Sequence, residues 1–374
     1  MGIFNFLKKA IVGEGSQHNT VSYTKSLPNE SISYSIDPIL LKKFPNGLLP
    51  GELVLINWIE GKTINAKYPR YFETTYGIEA KQSLEKLQNE GYIKEASPIE
   101  SLTALKLPEL KGILKTKELK LSGKKADLIS RIGENYSSDE IESFIENRMI
   151  RVTDKGKKVL EEYYYIVPAH RYDSKDGVYN VANAIRHVSK LNYKPGNGDI
   201  SWALFQRSYM EHAVKFQYGL MTIDIRNMAE QLRREKRYKD ALFHYLRVFI
   251  MGTSGLGNSN HLSHPNYMMY DIPSRHIIEQ LIETLNLDES ALKVEFINAW
   301  DKTELKYHYL TLDECFQCLL YSFDDNSDEV KEALFNAYNR LNKEMDEKSF
   351  WDKYGLEFPN DYEVKYEVNH EKIN

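Results

Sequence analysis

The chain of 374 residues carries 49 Lys and Arg against 54 Asp and Glu, a formal net charge of −5, so it is not basic throughout and any contact with nucleic acid has to be local. Hydrophobic residues make up 42% and charged residues 28%, which excludes a disordered chain and supplies enough apolar surface for two or three domains with their own cores. With only Cys315 and Cys318 a disulfide framework is excluded, a reducing cytoplasm is the expected compartment, and no apolar run approaches the ~20 residues of a membrane span.

The first residues, MGIFNFLKKAI, pass too quickly into polar sequence to form a signal peptide. They suit either an amphipathic turn on a membrane surface or a frayed helix strapped to the body, and no membrane partner is expected. Residues 12–37 are rich in Ser, Asn and Gly and read as a mobile linker or an arm laid on the surface, so residues 1–37 are the expected flexible arm. From Pro38 the pattern tightens. A Pro-Gly turn precedes the apolar run 53–59, which fits a buried strand or a short helix equally well. Pro69 suits a helix start. Gly77 breaks that helix, Ala80, Leu84 and Leu87 repeat at helical spacing, and Gly91 ends the second helix before Tyr92 and Ile93. Helix, sharp glycine turn, helix and short strand is the layout of a winged helix-turn-helix. Residues 150–160, IRVTDKGKKVL, add a strand, a Thr153 cap and a helix burying Val159 and Leu160. This resembles the strand, T-x-x-G, helix finish of bacterial winged-helix domains. The expected divisions are a winged-helix-like region at 38–100, a separate motif at 101–135 and a strand-helix completion at 136–174. Three unrelated small units in series are the alternative.

From 175 the sequence is helical, with Gly-, Asn- and Pro-bearing loops at 173–180 and 192–199. Ile225, Met228, Ala229, Leu232, Tyr238, Ala241, Leu242, Tyr245 and Val248 follow the small and large alternation of a tetratricopeptide-type hairpin. True arrays need about three repeats, so a single unit predicts a repeat-like hairpin within a helical bundle. Residues 175–374 are thus an expected helical domain, with 200–350 holding a protein partner or pairing with itself. The acidic tail 324–372 is helical to about Tyr354 and irregular beyond.

The stretch 105–132, LKLPELKGILKTKELKLSGKKADLISRI, says most about function. Leu105 and Leu107 lead in, and Pro108 begins a first helix whose apolar face is Leu110, Ile113 and Leu114. Leu119 plugs the space between two helices. Ser122 is placed to cap the second, which Gly123, Lys124, Lys125 and Ala126 open and Leu128, Ile129 and Ile132 bury. Residues 102–132 hold eight basic and three acidic side chains, a net of +5, which leaves −10 for the rest of the chain. Two short helices, a tight loop and the signature SGKKADLISR resemble the SAP motif, a helix–loop–helix module of chromatin and DNA-repair proteins, over about 102–135. The match covers about thirty of the 374 residues; with its winged-helix-like flanks and one tetratricopeptide-like hairpin the chain resembles SAP-domain proteins of bacteria or phages, which its Lys-, Asn-, Ile- and Tyr-rich composition suits.

A helix N-terminus leaves backbone N–H groups unpaired, carries about half a positive charge and therefore attracts anions. Gly123 removes side-chain bulk at that point, Lys124 and Lys125 add full charges, and Lys120 and Arg131 extend the strip. Lys120, Ser122, Gly123, Lys124, Lys125 and Arg131 are accordingly the candidate nucleic-acid-binding residues. Contacts of this kind hold a backbone without reading its sequence. The resemblance implies double-stranded DNA, bound non-specifically or with an A·T preference. Two positions depart from the family: Glu118 stands where a Gly usually precedes the loop leucine, and Gly112 lies inside the first helix. Arg148, Arg151, Lys155, Lys157 and Lys158 form a second basic strip that either continues the first or is a solvated face. The helix near 79–90, with Glu79, Lys81, Glu85, Lys86 and Glu90, has the alternating charges of a solvated surface.

Cys315 and Cys318 (C-x-x-C) and His261 and His264 (H-x-x-H) have metal-ligand spacing, but the cysteines sit in an apolar helical run and the histidines in a distant loop, so no metal is expected. The loop 251–264, MGTSGLGNSNHLSH, has neither the Lys nor the preceding strand of a phosphate-binding loop and reads as an interhelical connection. No catalytic constellation exceeds chance, and no cofactor is expected. The prediction is a mainly α protein in which a SAP motif is held by a winged-helix-like region and followed by an all-helical C-terminal domain. It acts as a non-enzymatic adaptor on duplex DNA. The alternatives are a protein-interaction scaffold that never touches nucleic acid, and an enzyme with its site at 251–264.

Overall fold

The structure, a computed structural model, describes residues 21–27, 30–268, 274–324 and 326–360. It has two compact units, Met1–Asp173 with Asn180–Lys190, and Ser174–Tyr179 with Leu191–Asn374. Helices dominate both units, as expected, and only four short strands occur among the described residues.

In the first unit β1 (Val21–Leu27) and β2 (Glu30–Ile36) pair antiparallel, with Val21 opposite Ile36. Part of the expected flexible arm is therefore paired strand. Its signal is the period of two in Ile32, Tyr34 and Ile36, which the surrounding serines obscure. The remainder of that arm through residue 20 lies outside the described residues. The ambiguous run 53–59 belongs to α1 (Pro50–Ile59), where Leu53, Val54, Leu55 and Ile56 are all buried. A helix covered on every side loses the polar stripe that would reveal its period. α2 (Tyr71–Thr74) and α3 (Ala80–Asn89) follow. Between them Gly77 sits at φ +64, with Leu41 and Ile36 too close to admit a Cβ.

β3 (Ile93–Glu95) pairs antiparallel with β4 (Ile150–Val152), Lys94 opposite Arg151. A bridge from Thr63 to Met149, and hydrogen bonds of Ile150 with Gly61 and Lys62, bring a third short segment against β4. The chain between these paired strands contains α4 (Pro98–Ser101), α5 (Leu107–Lys115), α6 (Lys125–Asn135) and α7 (Ser138–Ser143). These helices bury a core of their own, including Leu102, Leu110, Leu114, Leu128 and Ile132. After β4, Thr153 caps α8 (Asp154–Glu162), its hydroxyl accepting the Gly156 N–H at 3.2 Å. A Cβ on Gly156 would lie 2.2 Å from the Tyr92 carbonyl oxygen, so glycine is what lets α8 seat on the end of β3. Val159 is buried as expected, whereas Leu160 is only half-buried. α9 (Ile166–Arg171) and α10 (Val181–Val188) complete this unit, so the boundary expected near 174 is crossed more than once.

The second unit runs through α11 (Asn197–Val214), α12 (Tyr218–Arg234), α13 (Tyr238–Thr253), α14 (Arg275–Leu285), α15 (Glu289–Asp301), α16 (Leu312–Phe323), α17 (Ser327–Glu344) and α18 (Glu347–Tyr354). The predicted hairpin is α12 and α13. Its nine residues are buried except Tyr238, which packs half-buried against the same core. Ala229 and Ala241 are fully buried, the condition for two backbones to approach closely. Phe216, Lys236 and Asn286, in the short connections after α11, α12 and α14, all take positive φ, from +51 to +61. Each places a left-handed residue after its helix, where glycine is usual. Helix ends at Tyr354 as predicted, with Gly355 at φ +62, and residues 361–372 lie outside the described residues.

Candidate nucleic-acid interface

α5 starts from Lys106, whose N–H is accepted by the Glu109 carboxylate, and Pro108 takes the second helical position, where its missing N–H costs nothing. The helix ends through Glu118 at φ +54, and the Leu119 N–H reaches back to the Leu114 carbonyl at 2.9 Å. Glu118 thus makes a left-handed turn where the sequence resemblance implies a glycine. Leu119 packs on the core between α5 and α6, as expected. The Tyr136 hydroxyl donates to the Ile113 carbonyl at 2.6 Å and ties the end of α6 to α5.

The start of α6 differs from the expectation. Ser122 is not its cap. The N-cap is Lys124, and the Asp127 carboxylate accepts the Lys124 N–H at 2.8 Å. Gly123 sits at φ +133 and a Cβ there would meet Asp127 at 3.1 Å, so the space that glycine opens is used by a carboxylate of the chain itself. Asp127 thus answers the Lys124 N–H, the reach-back half of a capping box, while no cap side chain accepts the N–H groups of the first turn.

Ser122, Gly123, Lys124 and Lys125 are all exposed, and so is Lys120. The eight cations of the motif fall into three groups. Lys117 is neutralised: it pairs with Glu140 at 2.8 Å and lies over the Tyr136 ring. Arg131 and Lys125 are held by carbonyl oxygens. The Arg131 guanidinium donates to Lys120 and Ser122, and the Lys125 ammonium donates to Thr103 at 2.7 Å. Arg131 is therefore half-buried and pins the loop from behind instead of extending its charged strip. Lys106, Lys111, Lys115, Lys120 and Lys124 are exposed and form no ion pair among the described residues. The first three lie at the start and along the outer face of α5, and inspection of the signature alone passes over them. Their i, i+4 spacing at 111 and 115 was the available signal.

The second strip is mostly engaged. Arg148 pairs with Glu142 at 2.7 Å and Arg151 with Glu60 at 2.8 Å. Lys155 donates to the Glu90 carbonyl and covers the Tyr92 ring, Lys157 lies 3.3 Å from Asp154, and Lys158 is exposed. On α3, Lys86 is bound to Glu52 at 2.9 Å, and Glu52 is only 3% exposed.

Loop 251–264 is packed, with Ser254 and His264 buried and Ser263 bonded to Gly255 across the bridge of Leu256 to Leu262. Thr253, His308 and Cys315 meet beneath it, but they do not form a nucleophile and base. His308 Nδ1 accepts the Leu310 N–H and Nε2 donates to the Ile250 carbonyl at 2.9 Å, so the nitrogen nearest the sulfur carries the proton. Burial drives the Cys315 thiol pKa up and the His308 pKa down to about 4, which keeps both groups neutral. Cys318 is likewise buried on α16. Among the described residues no group of His, Cys, Asp and Glu is arranged to hold a metal ion. Two clefts, of about 390 Å³ beside α2 and the start of α3 and about 560 Å³ beside α14, are lined by no residue of this loop.

Residues 101–136 match the family described as SAP domain, so the chain contains a SAP domain at the place its signature indicated. This domain is generally a DNA-binding motif, which supports a nucleic-acid-binding role. No curated protein matches the chain. No helix among the described residues is long and apolar enough to cross a membrane.

Proposed function

We propose that this protein is a non-enzymatic adaptor that holds the phosphate backbone of duplex DNA on its SAP domain and a protein partner on its second unit. The observation that carries the DNA half is the pair Lys120 and Lys124: two exposed ammonium groups beside the start of α6, neither in an ion pair among the described residues. Gly123 and Ser122 stand exposed between them, and Lys106, Lys111 and Lys115 add charge along α5. Point charges of this kind attract phosphates of any sequence. The order of elements supports a winged-helix reading of the host: α1, a bridging segment, α2, α3, β3 and β4. On that reading the SAP domain stands where the wing does, between the two strands, while α3 has given its Lys86 to Glu52. Binding then rests on the insert and not on α3. A cytoplasmic location suits the two buried, unpaired thiols.

The test is a panel of duplex DNA, single-stranded DNA and RNA titrated at several salt concentrations, with the Lys124→Glu, Lys125→Glu double variant as control. A slope of about −0.9 in log K against log salt is expected for each phosphate contacted on duplex. The double variant is expected to lose binding while keeping its fold. Undiminished affinity would move the site elsewhere. Absence of binding to any nucleic acid would favour the scaffold reading, which the Asp127 carboxylate at the start of α6 supports.

A further inference from the structure

The second unit carries a groove with an apolar floor and an acidic rim. It lies beside α14, the connection into α15 and the end of α16, and encloses about 560 Å³. That volume falls within the range of ligand clefts, roughly 300–1,000 Å³. Ile282, Leu287, Leu320 and Phe323 form its floor over buried Leu292, and all four are only partly covered. The rim is acidic: Glu279, Glu283, Asp288 and Glu289 line it, and no Lys or Arg does. Glu279 and Glu283 stand one helical turn apart on α14, a like-charge spacing that weakens an isolated helix. Asp288 is needed at home, since it caps α15 by accepting the Ala291 N–H at 2.8 Å, and Glu279 contacts His276 at 3.1 Å. Glu283 and Glu289 are exposed and have no partner among the described residues.

We propose that this groove docks a short amphipathic helix of another polypeptide, apolar on the face that enters and Lys- or Arg-rich on its flanks. The apolar floor supplies the burial, and carboxylates at one-turn spacing meet cations at the same spacing on the incoming helix. An incoming segment without a basic flank would leave Glu283 and Glu289 unanswered, so the rim selects against acidic segments. The inference rests on the partner half of the proposed function and gives it a place and a chemistry. It does not depend on DNA.

The probe is a fluorescein-labelled amphipathic peptide of Leu and Lys, compared with a peptide in which every Lys is Glu, both titrated against the full chain. The Leu/Lys peptide is expected to bind, and the Leu/Glu peptide not. Glu283→Lys with Glu289→Lys is expected to weaken binding at least about tenfold, or 1.4 kcal/mol. Glu329→Lys with Glu332→Lys, exposed on α17 and equal in charge change, is expected to weaken it less than about twofold, which controls for non-specific attraction. Duplex binding measured on the same variants separates the two halves: the groove variant is expected to keep whatever DNA affinity the parent has. No binding of the Leu/Lys peptide, equal loss in both double variants, or equal binding of the Leu/Glu peptide would overturn the proposal. So would a dimer in sedimentation that the groove variant dissolves, because a second copy would then be the occupant.

Discussion

The Asp127 carboxylate accepts the Lys124 backbone N–H at 2.8 Å, so the chain places its own anion at the helix start where a phosphate would be drawn. DNA that meets this corner is held by the lysine side chains around Asp127 and is repelled by Asp127 itself. Asp127→Asn keeps an acceptor for the Lys124 N–H and removes the charge. Exposed charge pairs are worth about 0.2–1 kcal/mol, so duplex affinity should rise about 1.4- to fivefold at low salt. The gain should shrink as salt rises past physiological strength, where screening acts within about 8 Å. Unchanged affinity at low salt would mean that the phosphates lie away from α6.

Lys124 and Arg131 have different duties despite their shared charge. Lys124→Gln removes a side chain that faces solvent, and should lower the magnitude of the salt slope by about 0.9. Arg131→Gln removes the donor that holds the Lys120 and Ser122 carbonyls. It should lower both the melting temperature and the affinity while leaving the slope unchanged. Isothermal titrations across a salt series distinguish the two. A slope change on Arg131→Gln would show that its guanidinium leaves the loop to meet DNA.

The helices of the SAP domain were legible because each one announces itself: Pro108 at the start, apolar spacing through Leu110 and Ile113, and a Gly-Lys-Lys run before Leu128. The register of α6 was not, because two residues compete to cap it. Propensity favours Ser122, whereas the helix begins after Lys124, whose N–H Asp127 accepts, and Gly123 at φ +133 leaves room for that carboxylate. The hairpin α12–α13 was visible from its buried face. The matching turns after α11 and α12 were not, since Phe216 and Lys236 occupy left-handed positions that sequence reading assigns to glycine. The groove beside α14 is invisible for another reason: Leu320 and Phe323 of α16 come to its floor from more than thirty residues beyond Ile282 and Leu287.

Glu118 and Gly112 each sit in the place that suits the other. Glu118 holds a left-handed turn at φ +54, and Gly112 lies mid-helix on α5 with open space where a Cβ would go. Glu118→Gly should stabilise the SAP domain by about 1 kcal/mol, and Gly112→Ala by about 0.5–1 kcal/mol. The sites are independent enough for the gains to add. Chemical denaturation followed by circular dichroism checks both; a loss on Gly112→Ala would mean that α5 bends at that point.

Gly156→Ala should act in the opposite sense. The new methyl would sit 2.2 Å from the Tyr92 carbonyl oxygen, which is backbone and cannot swing aside. α8 would have to lift from β3, at a cost of about 1–3 kcal/mol for an overpacked site. Gly156→Ser should be no better. If the alanine variant melts with the parent, α8 does not seat on β3 as closely as described.

Acid should loosen the second unit before the carboxylates themselves titrate. Burial holds His308 and His244 to a pKa of about 4, against an ordinary value near 6.5. A histidine whose folded pKa is depressed contributes stability above its unfolded pKa and loses it as pH falls towards the folded value. Between roughly pH 6.5 and 4 the unfolded chain therefore binds more protons than the folded one, and stability falls with pH. Each unit of depression is worth about 1.4 kcal/mol, enough to lower the melting temperature by several degrees. Trp300 packs on His308 with ring centroids 4.8 Å apart and Trp202 on His244 at 5.6 Å, so tryptophan fluorescence reads both sites directly. Thermal melts at pH 7.5, 6 and 5 should show a progressive drop, and His308→Gln should flatten it by removing one of the two titrating groups. A melting temperature independent of pH across that window would show that neither ring is buried as a neutral imidazole.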